Sequence, residues 1–298
     1  MNFRAITFAP LPRRFLIASA ASLALWAQTA HAADTLKVTA SFSILGDLVR
    51  AVGGERVQVS TLVGPNQDAH TFEPKPSDAK ALLASQLLVT NGLGFEPWAT
   101  KLAQAAGYKG PVVVASQGVQ ARPQDPHAWQ NPTHVVLYVR NIAAGLSKLD
   151  PGGSASYQAH ADAYVQELQS LDSWAQAQFA SIPVAQRKVI TSHDAFGYFA
   201  TRYQITFLAP QGISTDAEPS AKQIAQLITQ IKQEKIRAVF VENMSNPKLI
   251  SQLSQDVGVT PGPRLYADAL SAPGQPGDTY LHMLRHNVTQ LAAGMKLN

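Results

Sequence analysis

Residues 154–181 read SASYQAHADAYVQELQSLDSWAQAQFAS, a stretch without proline or glycine. Along it Tyr157, Ala161, Tyr164, Leu168, Leu171, Ala175 and Phe179 recur at steps of three and four, the spacing that gathers apolar side chains on one face of an α-helix. Pro183, which has no N–H to give a helix, closes the run. At ~1.5 Å per residue the helix is a rod of about 40 Å, the height of a domain and too long for a local crossover. Nothing in it favours a sharp bend, so the parts it joins are expected to rotate little about it.

On both sides of the rod, short apolar runs alternate with amphipathic ones. Upstream, Leu36 to Ala40, Val57 to Val63, Leu87 to Thr90 and Val112 to Ala115 read as strands. Ser43 to Val52, Ser77 to Ala84, Glu96 to Ala106 and Pro132 to about Lys148 read as helices, the last opened by Asn131 as cap and Pro132 at the first helical position. Downstream, strands are predicted at Lys188 to Thr191, Ile205 to Leu208, Ala238 to Val241 and Arg264 to Tyr266. Helices are predicted over Asp194 to Tyr203, Pro219 to Gln233, Pro247 to Val257 and Thr279 to Ala293. This alternation predicts an α/β fold with mainly parallel sheets: two α/β lobes, at 33–150 and 183–298, joined by one long backbone helix within 151–182.

Residues 1–32 read as a secretory leader: a basic stretch ending at Arg13-Arg14, an apolar run from Phe15 to Trp26, and Ala30-His31-Ala32 as a small-residue cleavage site, with cleavage after Ala32. Arg13-Arg14-Phe15-Leu16 also resembles a twin-arginine signal, so either export route stays open. The apolar run is shorter than the ~20 residues of a spanning helix, and no later segment is both that long and free of charge, so a soluble periplasmic protein is expected. Of the 24 Lys and Arg, the leader's Arg4, Arg13 and Arg14 leave 21 against 20 acidic residues, with no basic run. That near-neutral balance lacks the electrostatic footprint of a nucleic-acid binder. The hydrophobic content of 46% suits a sizeable core, which must hold the fold because there is no cysteine to form a disulfide. The same lack removes thiolate ligands, a cysteine nucleophile and a lipid-modified cysteine at the leader junction, so free diffusion in the periplasm is expected.

Seven histidines follow the leader, and three stand beyond the carboxyl ends of predicted strands or in the loops that follow, where α/β proteins place ligands. These are His70, in the turn-rich Gly64-Pro65-Asn66-Gln67-Asp68-Ala69-His70; His127, just ahead of the capped helix; and His193, after Lys188-Val189-Ile190-Thr191-Ser192. A single loop histidine is ordinarily a solvated or capping group. Three in matching positions, two upstream of the rod and one downstream, point to a shared metal. On spacing alone Asp268, after Arg264-Leu265-Tyr266, is equally a turn residue or a fourth ligand, and Glu242, ending Val239-Phe240-Val241, is a lesser candidate or a partner for a histidine. His282 and His286 share a helix face, but no acid stands between them as in the zinc-protease signature, and Arg285 adjoins them. His134 and His160 fall on helices as surface or interface groups. Without a Gly-x-Ser-x-Gly elbow or a phosphate-cradling glycine loop, nucleophilic catalysis finds no motif.

Four ordered motifs resemble the metal-binding solute-binding proteins of ABC importers, the zinc and manganese class with a rigid helical backbone. They are Asp68-Ala69-His70-Thr71-Phe72-Glu73-Pro74, Asp125-Pro126-His127-Ala128-Trp129, Thr191-Ser192-His193-Asp194-Ala195-Phe196-Gly197-Tyr198-Phe199 and Tyr266-Ala267-Asp268-Ala269-Leu270. Phe240-Val241-Glu242-Asn243 and the long helix extend the resemblance over essentially the whole chain after the leader. It implies a cleft between two lobes, a metal held there by His70 and His127 from the first and His193 and Asp268 from the second, and no catalytic residue. It also implies a monomer whose partner is a cognate inner-membrane permease, touched only peripherally. Zinc members usually carry histidine at the third position and manganese members often glutamate. Three imidazoles with one carboxylate suit Zn²⁺, whereas Mn²⁺ prefers more oxygen, and a closed four-ligand sphere suits transport better than catalysis. Many zinc members carry a His- and Asp-rich loop before the second ligand. Ser116 to Asp125 has no histidine, so no auxiliary metal trap is expected. The other readings are a Mn²⁺ or Fe²⁺ carrier of the same class and a periplasmic zinc hydrolase with Glu242 as base toward a bound water.

Overall fold

The computed structural model describes residues 35–298, and the leader expected over residues 1–32 lies outside the described residues. The spine of the first lobe is β1 (Leu36–Phe42), buried at every position except Lys37, as a strand covered on both faces must be. It pairs in parallel with β2 (Val57–Val63) and β3 (Leu87–Thr90), and β3 pairs with β4 (Val112–Val114), giving the order β2-β1-β3-β4. The crossovers use α1 (Ser43–Gly53), α2 (Pro76–Leu83) and α3 (Pro97–Ala106). Because all four strands run the same way, their carboxyl ends open on one edge, and the loops after β2 and β4 carry His70 and His127 there.

The next helix, α4 (Pro132–Leu149), opens as the sequence predicts, with the Asn131 side chain accepting the N–H of Thr133 at 3.0 Å. The long helix is α5 (Ser154–Ala180), 27 residues without a break, and each of the seven periodic apolar residues is buried. One buried residue on it is polar: Asp172 accepts from Arg202 Nε and Tyr203 OH, both at 2.9 Å, in α6 (Gly197–Tyr203). The rod is thus fixed to the second lobe by charge as well as by apolar packing.

In the second lobe β5 (Lys188–Ile190) pairs in parallel with β6 (Thr206–Leu208). The strands expected at Ala238 to Val241 and Arg264 to Tyr266 are reduced to isolated parallel bridges, Ile190 with Val239 and Glu242 with Leu265. The cause for the second is local, since Pro261 and Pro263 remove ladder donors just before it. The helix expected from Asp194 starts at Gly197, with Phe196 outside it at φ −99°, ψ 19°, and the N–H of Asp194 bonds Gly212 O. Three helices, α7 (Ala221–Glu234), α8 (Lys248–Val257) and α9 (Tyr280–Met295), complete the lobe. One apolar core runs from β1 through α5 into α9, and a smaller one, with Ile190, Leu227, Ile231, Val239 and Leu253, lies under α7 and α8. Among the described residues no helix is long and apolar enough to cross a membrane.

Candidate metal centre

The loop after β2 turns at Asn66, which takes φ 56° and donates its N–H to Leu270 O in the second lobe at 2.9 Å. Asp68 then forms a hook, its Oδ1 accepting the N–H of His70 two residues on (2.8 Å). The device recurs after β4, where Asp125 Oδ1 accepts the N–H of His127 at 3.1 Å. The same oxygen lies 2.9 Å from His127 Nδ1. A carboxylate only accepts, so Nδ1 carries the ring proton and Nε2 is left with a free lone pair.

His193 leaves the end of β5 under tighter restraint. The N–H groups of Ser192 and His193 both donate to Glu242 Oε1, at 2.9 and 3.0 Å, and His193 Nδ1 bonds Glu242 Oε2. Glu242 is fully buried and takes the place of partner to this histidine, not of a fourth donor. Asp268 is carried on a loop gripped from the first lobe, since Ala267 O accepts from Trp129 Nε1 (2.9 Å) and Gln130 Nε2 (2.7 Å), and the N–H of Leu270 donates to Ser43 Oγ (3.0 Å).

These four side chains meet. Their potential donor atoms all lie within 4.8 Å of one another. His70 Nε2 stands 3.3 Å from His127 Nε2 and 3.2 Å from Asp268 Oδ2, His193 Nε2 is 3.0 Å from Asp268 Oδ2, and His127 Nε2 is 3.6 Å from Asp268 Oδ1. Donors ~2.0–2.2 Å from one tetrahedral ion sit roughly 3.3–3.6 Å apart, and these four separations, 3.0 to 3.6 Å, lie close to that. His193 Nε2 and both Asp268 oxygens are buried without a hydrogen-bond partner, because at 3.0 Å the nitrogen and the carboxylate face each other out of hydrogen-bond alignment. Buried polar atoms left unpaired in a dry interior are costly, and a cation held by them removes that cost.

The electrostatics agree. Burial alone would lower the His193 imidazole, but the Glu242 and Asp268 carboxylates on either side hold it well above the usual histidine range. Burial alone would raise the Asp268 carboxyl, yet the His193 and His127 imidazoles hold it well below the usual carboxylate range. On the first-lobe side the wall is aromatic: Phe95 meets the His70 ring edge-on at 4.9 Å, Trp129 meets His127 at 5.2 Å, and Phe42 backs both aromatics. His282 and His286, by contrast, are engaged separately, His282 Nδ1 with Asp278 (2.8 Å) and His286 Nε2 with Arg264 O (2.8 Å).

Sequence reasoning missed the two hooking aspartates and Phe95. The signal for the first was present, since Asp-x-His occurs at both 68–70 and 125–127, and aspartate bonding the backbone two residues on is a common turn. Phe95 carried no signal, because a loop aromatic after a glycine does not reveal what it will face.

Two α/β lobes about one long helix, with three imidazoles and a carboxylate converging between them, define a metal-binding solute receptor of the ABC-importer kind. The family profile described as the periplasmic zinc-uptake complex component A, ZnuA, matches residues 38–294, and the chain belongs to that family. The manganese-binding lipoprotein MntA of Halalkalibacterium halodurans is 34% identical over 273 residues, covering 90% of this chain and 91% of that one. The manganese ABC transporter substrate-binding lipoprotein PsaA of Streptococcus pneumoniae is 30% identical, covering 88% and 89%. The solved structure of the periplasmic zinc-binding protein TroA from Treponema pallidum superposes with a TM-score of 0.83 at 28% identity, covering 88% of this chain and 99% of that one. The family supplies the metal-binding component of an importer and not an enzyme, which removes the hydrolase reading.

Proposed function

We propose that this chain captures Zn²⁺ in the periplasm with His70, His127, His193 and Asp268 and delivers it, as a monomer, to the permease of an ABC importer. The observation that carries the reading is the convergence of three imidazole nitrogens and one carboxylate within 4.8 Å, two of the rings having their other nitrogen tied to a buried carboxylate. Nitrogen-rich donors suit Zn²⁺. A three-histidine, one-aspartate sphere leaves a dication with a formal charge of +1, and Glu242 behind His193 supplies the missing negative charge one bond further out. In this reading residues 33–150 and 183–298 act as the two jaws and 151–182 as their brace. The leader ends at Ala32, and the lack of cysteine supports a freely diffusing protein where the relatives are named lipoproteins.

A Mn²⁺ carrier is the second reading, and the names of those same relatives favour it. Elemental analysis of protein taken from its native periplasm, followed by competitive Zn²⁺ and Mn²⁺ titration of the metal-free form, decides between them. Zinc in the isolated protein and tighter Zn²⁺ binding support the first reading, and manganese with a preference for Mn²⁺ overturns it.

A further inference from the structure

Three of the four converging side chains are wholly buried, and His70 alone keeps a trace of exposure, with 6% of its side chain open. An ion leaving the centre must therefore pass His70 or unfold a buried ligand. Two residues before His70, Asp68 lines a surface hollow of about 370 Å³ whose other walls include Gln211, Thr215, Glu218, Met244 and Ser245 from the second lobe. Two of these lining residues also bond groups next to His193. Ser245 Oγ donates to Glu242 Oε2 at 3.4 Å, and the N–H of Gln211 donates to Ser192 O at 3.3 Å, next to His193.

One side-chain bond spans this hollow. The Thr215 hydroxyl donates to Asp68 Oδ2 at 2.6 Å, across 147 residues of sequence, while Oδ1 of the same carboxylate holds the N–H of His70. Asp68 thus joins the exposed ligand of one lobe to the segment between β6 and α7 of the other. We propose that Thr215, acting through Asp68, is the gate of metal exchange, and that it positions the His70 loop over the ion without touching the ion. This inference rests on the four-residue centre proposed above.

A latch made only of protein atoms stabilises the closed lobes with cargo or without it. It therefore slows entry and release by the same factor and cancels from the affinity, which a ligand does not do. A hydrogen bond to a charged group corresponds to a factor of roughly ten or more.

The test is stopped-flow exchange on the full exported chain, with Zn²⁺ as the probe. Release is followed into excess chromogenic chelator and uptake by the metal-free protein directly, for the parent, Thr215→Val and Thr215→Ser. Thr215→Val keeps the shape and loses the donor, so release and uptake should both rise by about tenfold while their ratio moves less than about threefold, and Thr215→Ser should restore parental rates. Rates in Thr215→Val equal to the parent's, or a faster release with no faster uptake, overturn the gate while leaving the centre in place. A parent chain that retains no Zn²⁺ overturns the centre and the gate together.

Discussion

The loops that carry His70 and His127 begin with the same aspartate hook and diverge after it. Asp125 turns inward: Oδ1 holds the His127 backbone and ring, and Oδ2 meets Arg122 Nε at 3.2 Å. Arg122 passes the restraint to the second lobe, donating from Nη1 to Thr201 Oγ1 at 2.7 Å, and its N–H bonds the Tyr198 hydroxyl at 2.8 Å. The approach is so close that a Cβ on Gly197 would collide with Asp125 Oδ2 and stand 3.0 Å from Arg122 Nε, so a side chain there would push this bridge aside. Asp68 turns outward, with one oxygen on the His70 backbone and the other on Thr215. The same three-residue pattern therefore gives a ring fixed in one tautomer and packed on Trp129 and Phe95, and a ring held only through its backbone with Phe95 as its aromatic neighbour. Sequence alone sets the hook, and the outer partner decides whether it becomes a clamp or a latch.

The hardest way to strain that comparison is to remove the rings themselves. In the proposed centre His127→Ala and His70→Ala each delete a donor to the ion, so each should weaken Zn²⁺ by more than the ~10–100-fold typical of changes one step removed from a metal. Competition titration reads both, and a variant that keeps parental affinity shows that its ring is not a donor.

Removing the hooks separates the two loops. Asp125→Ala loses the tautomer lock and the backbone bond together and should cost about 10–100-fold in affinity, whereas Asp68→Ala loses only loop order on the metal side and should cost about tenfold or less. If Asp68→Ala is the more damaging of the two, the distinction between clamp and latch is reversed.

A third prediction concerns what lies under the fixed loop. Glu96 is buried, accepts from Ser41 Oγ (2.9 Å) and the N–H of Asn91, and Asn91 Nδ2 donates to Pro126 O (3.0 Å), beside His127. Burial pushes its carboxyl up from 4.5 to about 7, against the partial opposition of those hydrogen bonds. Between those values the folded protein keeps a proton that the unfolded chain has released. The resulting stability is fully present below pH about 4.5 and falls as pH rises toward about 7, by at most about 1.4 kcal/mol per pH unit. Glu96→Gln should flatten that decline in urea unfolding of the metal-free protein, and an unchanged slope would remove Glu96 as its source.

The smallest effect expected is at His282. It is exposed on α9 and paired with Asp278, so His282→Ala should change Zn²⁺ affinity by less than about twofold, as surface substitutions generally do. A large loss there would move metal binding to the terminal helix.

How far the sequence could be read follows the same division between local and distant causes. The long helix, the Asn131 cap and the four parallel strands of the first lobe are written in local periodicity and capping chemistry, and they stand within a residue or two of where the pattern puts them. The second lobe was less legible, because its inner strands hold together by single bridges, which leave only a short β-branched run as a trace. His70, His127 and His193 stood out by their place after strands, whereas Asp268 was set apart from a turn residue only by the family resemblance of Tyr266-Ala267-Asp268-Ala269-Leu270. What they bond was not legible, since Asp125 with Arg122 and Asp68 with Thr215 join residues through contacts that no periodicity encodes, the second across 147 positions.

The most direct test of the central claim is a crystal structure of the Zn²⁺-loaded protein with anomalous data collected at the zinc edge. One strong peak is expected between the lobes, about 2.0–2.2 Å from Nε2 of His70, His127 and His193 and from an Asp268 oxygen, with no water in the sphere. A peak held by only three of these residues and a water, or one seated at His282 and His286, would contradict it.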